Sequence, residues 1–170
     1  MPADIDEAVL EGEEPEPYVE RIVSTKRAAV RAKVAELGRS GGALLVADTL
    51  VAIEGMILGK PVDHADALRL LSLLNGRTHE VITRYAVEVS GEVLERTVRS
   101  RVQFRKLSPR DLEGYAASGE GSDKAGSYAL QGRGAALVRS VEGSVSGVIG
   151  LPAAEVSEDL AALGLWETFA

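Results

Sequence analysis

The stretch 46–61, VADTLVAIEGMILGKP, constrains this chain more than any other. It continues an apolar strand that starts near Ala43, turns at Glu54-Gly55, returns through Met56, Ile57 and Leu58, and ends at Gly59-Lys60-Pro61. Within it one carboxylate, Asp48, and one hydroxyl, Thr49, stand among residues patterned for burial. Ionising a carboxylate among such neighbours is costly unless it has a partner. Asp48 is therefore held by hydrogen bonds or by a cation, and a structural aspartate at a strand end meets that condition as well as a functional one does.

Upstream, the acidic segment 1–17 reads on composition as a solvated terminus, with Asp4, Asp6 and Glu7 in a short extended piece. A helix is predicted over about 17–37, closed by Gly38. Lys26 falls in its apolar row with Ile22 and Val30, so the ammonium either snorkels outward or is aimed into a cleft. Downstream, Asp63 caps a helix over about 64–75, with His64 exposed in its first turn. Strands over about 77–89 and 93–104 turn at Ser90-Gly91, and Arg96, Arg99, Arg101 and Arg105 read as solvent-face charges rather than a binding patch. Ser108-Pro109 opens a helix that ends near Gly119.

The segment 119–134, GEGSDKAGSYALQGRG, holds five glycines around Asp123, Lys124, Tyr128 and Gln131. Its backbone is free to approach a ligand, or to form a flexible surface loop. Strand residues follow at about 135–138, a turn at Glu142-Gly143, and a strand ending near Ile149. A last helix runs to about Leu163, and Trp166 and Phe169 are expected to dock the tail. This order predicts an α/β or α+β fold, with a twisted mixed β-sheet flanked by helices.

A chain of 170 residues has room for one domain, or two lobes on one core. Cysteine is absent, which excludes disulfides and thiolate metal sites, and His64 and His79 lack zinc-site spacing. No apolar run reaches membrane length and no signal-peptide pattern opens the sequence, so the protein is read as cytoplasmic and without a membrane partner. A net charge of −7 disfavours a nucleic-acid surface, but not a compact phosphate ligand.

Gly55-x-x-x-Gly59-Lys60 is one residue short of a P-loop, and Pro61 stands where that motif needs a hydroxyl. Gly132-x-Gly134 lacks the third glycine of a dinucleotide fingerprint, and there is no G-x-S-x-G elbow. What remains is a set of carboxylates, Asp6, Glu7, Asp48 and Asp123, and a set of lysines, Lys26, Lys60 and Lys124. Carboxylates, a divalent cation and lysines are what phosphoanhydride hydrolysis needs.

The strings ADIDE (3–7), ADTLV (47–51), LGKP (58–61), NGRTHEV (75–81), DKAGSYALQGRGA (123–135) and VIGLP (148–152), taken in order, resemble the Maf family over nearly the whole chain. The resemblance implies a fold related to the inosine triphosphate pyrophosphatases, two lobes around a cleft, over a single domain of residues 1–170. It implies a nucleoside triphosphate pyrophosphatase that cuts between the α and β phosphates with a divalent cation, Mg²⁺ or Mn²⁺. Asp48 and Glu7 are the implied catalytic residues, Asp48 as proton acceptor. Asp48, Glu7 and Asp123 are the implied metal ligands. Lys26, Thr49, Lys60, Lys124 and Gln131 are the implied substrate-binding residues, with Thr49 and Gln131 at positions tied to base selection. The form DKAGxYxxQG resembles the branch acting on dTTP and UTP. The alternative reading is a catalytically impaired nucleotide-binding or partner-binding protein of the same fold, acting in cell-division control.

Two departures accompany the resemblance. The family opens with a strand and an S-x-S-P-R-R loop upstream of the segment matching ADIDE, and Met1 falls on that segment. A chain without that element is expected to be poorly soluble or to form a homodimer through an exposed strand edge, to bind triphosphate weakly, and to show little or no pyrophosphatase activity unless a partner chain or an upstream extension supplies the loop. Gly147 stands where the family more often has Asn, in the turn before Val148.

Overall fold

Period-two alternation across the middle of the chain builds the sheet that carries everything else. The computed structural model describes residues 5–39 and 41–167. Asp4 and Phe169, assigned above to an extended segment and to tail docking, lie outside these residues. Five strands, β1 (Ala43–Ile53), β2 (Met56–Leu58), β3 (Thr78–Val89), β4 (Glu92–Phe104) and β5 (Val138–Glu142), stand in the order β2-β1-β3-β4-β5. The α/β architecture is as expected, but each described ladder is antiparallel rather than mixed. Two tight hairpins contribute to this. Glu54 and Gly55 both have positive φ (51° and 80°), as do Ser90 and Gly91 (53° and 88°), which is the turn that matches the twist of paired strands.

Each face of the sheet is covered. On one, Val46, Leu50 and Ala52 of β1 pack with Tyr18, Val19, Ile22 and Val23 of the long helix α1 (Pro15–Glu36). On the other, Val51 and Ile53 join Leu70, Leu71 and Leu74 of α2 (His64–Leu74) and Leu112 and Tyr115 of α3 (Pro109–Ala117). The segment read as a strand ending near Ile149 is instead a one-turn helix, α4 (Val145–Ile149). Gly143, at φ 109°, turns the chain out of β5, and Ser144 Oγ accepts the Gly147 N–H to cap the new turn. Gly147 therefore sits inside a helix rather than in a turn. Residues 135–137 close a 3-10 turn (Gly132–Leu137) instead of opening a strand.

The last helix, α5 (Ala153–Ala162), lays Val156 on Tyr85 and Val87 of β3. Its buried Asp159 accepts hydrogen bonds from Tyr85 and Arg96. Trp166 does not dock the tail, as it is 52 % exposed. The β4 arginines are paired: Arg96 with Asp159, Arg99 with Glu16, Arg101 with Glu142, while Arg105, just beyond the strand, donates to the Ala136 carbonyl. Among the described residues no helix is long and apolar enough to cross a membrane.

One asymmetry positions the site. β3 pairs with β1 from Ala43 to Ala52, whereas β2 pairs only with Val51, Ala52 and Ile53. The outer edge of residues 43–50 has no strand partner among the described residues.

His79 is a buried titratable group of the second core. It stands edge-on to Phe104 and Tyr128, with ring centroids at 5.1 and 5.4 Å, and its Nε2 lies 2.8 Å from the Tyr128 hydroxyl. Burial lowers its pKa from 6.5 to about 4. A folded pKa below the unfolded one means that this stability is whole above about pH 6.5 and is lost as pH falls toward 4, where the unfolded chain takes up a proton that the folded chain refuses. Wild-type stability to urea is expected to drop more steeply across that window than that of His79→Gln, which keeps an acceptor for Tyr128, by on the order of 2 kcal/mol. Parallel stability–pH curves for the two proteins would show that His79 is not held neutral.

Candidate active site

Successive strand side chains point to opposite faces, so Asp48 and Thr49 leave β1 on different sides of the sheet. Asp48 projects with Val46 and Leu50 toward α1, and Thr49 with Val51 toward the other core. Because β2 ends at the Val51–Leu58 pair, the sheet edge is open where these two residues emerge. Two cavities meet around it. One, of about 250 Å³, is lined by Glu7, Tyr18, Lys26, Asp48 and Lys60. The other, of about 210 Å³, is lined by Val51, Asp123, Lys124, Tyr128 and Gln131. Thr49, Lys60 and Ala125 line both.

The first cavity is organised by Lys26. Its Nζ is bonded to Asp48 Oδ1 and lies 2.6 Å from Glu7 Oε1, while Lys60 Nζ is 3.6 Å from Glu7 Oε2. Burial pushes the Asp48 carboxyl above the usual aspartate range, with Lys26 pulling against it. The hydrogen bond from Lys26 holds Glu7 below the usual glutamate range. Burial disfavours the Lys26 ammonium, but the two carboxylates outweigh it and raise the Lys26 pKa. The lysine thus points into the cleft rather than snorkelling out.

Glu7 reaches this point because its segment is tied down, contrary to the solvated terminus that composition suggests. The Tyr18 hydroxyl donates to the Glu7 carbonyl at 3.0 Å. Arg21, one turn further along α1, donates to the Ala8 carbonyl at 2.9 Å and forks onto Glu13. Asp6 takes no part in the cluster, its side chain accepting the Ala8 N–H at 2.9 Å.

The glycine-rich segment forms the second cavity and is a folded element rather than a loose loop. The Gly126 N–H donates to the Gly59 carbonyl, tying it to the end of β2 beside Lys60. Glu120 accepts the N–H groups of Arg133 and Gly134 at 2.9 and 2.7 Å, and the Tyr115 hydroxyl receives the Ala129 N–H. Asp123 and Lys124 pair with each other at 2.6 Å on the cavity's exposed rim. The hydrogen bond from Lys124 lowers the Asp123 pKa.

The eight site residues that the family resemblance implies therefore all line one or other of two adjoining cavities, whereas Asp6 lines neither. Glu7, Lys26 and Asp48 are in direct contact, and Lys60 and Thr49 stand at the junction. Asp123 does not join Glu7 and Asp48. Among the described residues no group of three His, Asp or Glu side chains is gathered to hold a metal ion. Two contributors were missed from the sequence. Glu120 organises the loop, and the signal for it was a carboxylate inside a glycine-rich segment whose backbone N–H groups need acceptors. Thr83 lies opposite Thr49, its Oγ1 2.9 Å from Thr49 Oγ1, a pairing that depends on strand register.

The family described as Maf-like protein matches residues 1–163. The chain belongs to the Maf family. Relatives include a dTTP/UTP pyrophosphatase of Nitrosomonas europaea, 43% identical over 164 residues that make up 96% of this chain and 79% of the relative. A dTTP/UTP pyrophosphatase of Cereibacter sphaeroides is 44% identical over 165 residues, 97% of this chain and 83% of the relative. One from Shewanella sp. (strain MR-7) is 45% identical over 162 residues, 95% and 82%.

In this Maf chain the loop's shape depends on close backbone approach. A Cβ at Gly121 would lie 2.0 Å from the Ser127 carbonyl oxygen. Gly121→Ala is expected to cost on the order of 1–3 kcal/mol of stability, since backbone rather than a flexible side chain must move. An unfolding curve that superimposes on that of the wild type would show that the loop yields freely.

Proposed function

We infer that the chain hydrolyses dTTP and UTP to the monophosphate and pyrophosphate at the junction of the two cavities. The observation that carries this reading is the contact of Asp48, Glu7 and Lys26 at the open edge of β1, beside a cavity bearing Thr49 and Gln131. The relatives' names support the substrate. In this reading the pyrimidine lies on the Thr49 and Gln131 side, and the triphosphate crosses the strand edge past Lys60 and Lys124 toward Lys26. Lys26 exchanges a carboxylate for a phosphate oxygen, which frees Asp48. Asp48, its pKa raised by burial, then takes a proton from the water that attacks the α-phosphorus. The bond from that phosphorus to the bridging oxygen breaks, and pyrophosphate leaves with the oxygen.

Glu7 and Asp48 suit a hard divalent cation, because two carboxylates already converge on one positive centre. Sites for such ions often use one or two carboxylates and take their other ligands from phosphate and water. Bound there, Mg²⁺ or Mn²⁺ would spread phosphate charge and acidify water. The reading takes residues 1–170 as one Maf-like domain acting on free nucleotides in the cytoplasm.

Asp48→Asn is expected to keep the wild-type circular dichroism spectrum while slowing pyrophosphate release from dTTP and UTP by about 100-fold or more. Comparable turnover in a folded variant would remove Asp48 from the chemistry. The acid limb of the kcat/KM profile has a defined direction too. A proton acceptor works only when deprotonated, so activity rises with pH through the Asp48 pKa, above the usual aspartate range. Removing the ammonium that lowers this pKa moves the limb to higher pH, so Lys26→Met is expected to shift it upward. A limb that stays in place or moves down would break the assignment.

A further inference from the structure

We propose that Thr83 is a positioning residue that fixes the Thr49 hydroxyl as a hydrogen-bond acceptor toward the base, so that the site selects a base presenting an N–H at that point. The proposal rests on the nucleotide reading above. It follows from counting protons along three oxygens.

Thr49 of β1 and Thr83 of β3 are direct cross-strand partners, and their hydroxyl oxygens are 2.9 Å apart. Thr83 is buried, and its hydroxyl oxygen is also 2.7 Å from the carbonyl oxygen of Gly147 in α4. Two oxygens this close need a proton between them. A carbonyl has none to give, so the Thr83 proton goes to Gly147. That was the one proton Thr83 had, so the proton between the two hydroxyls belongs to Thr49.

Thr49 is left with lone pairs and no donor for the cavity it lines. The far end of the relay is anchored. The Gly147 carbonyl also receives the Gly150 N–H at 3.0 Å, and the turn that carries it is capped by Ser144. Ser144 in turn donates its N–H to Ser100 of β4 at 3.0 Å.

Uracil and thymine carry an N3–H between two carbonyls. That edge meets a pure acceptor at Thr49 and a side-chain amide at Gln131, which has both a donor and an acceptor to offer. Cytosine places a bare nitrogen lone pair where the imide N–H would be, and two acceptors then face each other in a partly enclosed site. A site built on such a bond rejects analogues that cannot complete it. Thr83 touches no substrate in this arrangement and acts through Thr49.

The test compares kcat/KM for UTP and CTP, with pyrophosphate release as the readout, in wild type, Thr83→Val and Thr83→Ser. Wild type is expected to favour UTP. Thr83→Val keeps the side-chain shape but gives Thr49 no acceptor, so the Thr49 proton is released to the cavity. The UTP/CTP ratio is then expected to fall about tenfold, chiefly through improved use of CTP. Thr83→Ser restores the relay and is expected to keep the wild-type ratio, which a merely structural loss would not predict. A second measurement needs no variant: wild type is expected to use N3-methyl-UTP at least about tenfold less well than UTP. A Thr83→Val ratio equal to that of wild type overturns the proposal, as does equal use of N3-methyl-UTP and UTP. Wild type that is active on UTP but indifferent in both assays sinks this inference alone. Wild type inactive on dTTP and UTP sinks the functional reading and this one with it.

Discussion

The site depends on one constraint, the unequal pairing of β1. Its inner edge is hydrogen-bonded to β3 over ten residue pairs, so its position and register are fixed. Its outer edge is paired for three residues and then open. Pleating sends Asp48 and Thr49 to opposite faces of a sheet covered by helices on both sides, and in a fully paired sheet the two would belong to separate cores. At an open edge they share one junction. A carboxylate that handles protons and a hydroxyl that meets a base can then serve the same elongated ligand.

The second dependence is on charge. Asp48 and Glu7 converge in a partly enclosed cavity, where two carboxylates alone would repel each other and resist ionisation. Lys26 resolves this by sitting between them, and it costs little to hold there because α1 is already anchored by Tyr18, Val19, Ile22 and Val23 against the sheet. A lysine that, among the described residues, has two carboxylates as its polar partners is a group that an anionic ligand or a cation can rearrange. Tyr18 and Arg21 bring Glu7 to it, so one face of α1 holds both the ammonium and one of its carboxylates.

The second cavity uses a different device. Its lining includes Tyr128, which packs edge-on to His79 and Phe104. Its rim is glycine-rich backbone threaded close to itself and bound by Glu120. Gln131 lines this cavity together with Thr49, and among the described residues its side chain makes no hydrogen bond, which suits a residue left to recognise a ligand.

Local pattern determined a good deal of this. Alternation, turn residues and caps marked the two hairpins, α1, α2 and α3, because these signals act over a few residues. The cost of a carboxylate in an apolar strand marked Asp48, and the apolar row of α1 put Lys26 on the buried face while leaving open whether its ammonium snorkels out or enters a cleft. Ordered strings along the chain pointed to the family and to eight residues that line the two cavities. Local pattern failed where distant contacts override it. Residues 145–149 carry β-branched side chains, yet they form a helix because Ser144 caps it and Gly143 redirects the chain. The acidic terminus looks solvated, yet two α1 side chains fasten it.

What only the tertiary structure decided is which of these groups meet. Lys26 contacts Asp48 across 22 positions, Thr83 contacts Thr49 across 34 and Gly147 across 64, and Asp123 turns out to stand apart from the other two carboxylates. Such meetings follow from strand register and from how helices cross the sheet. Those are set by burial summed over the whole core, and no window of sequence contains that sum.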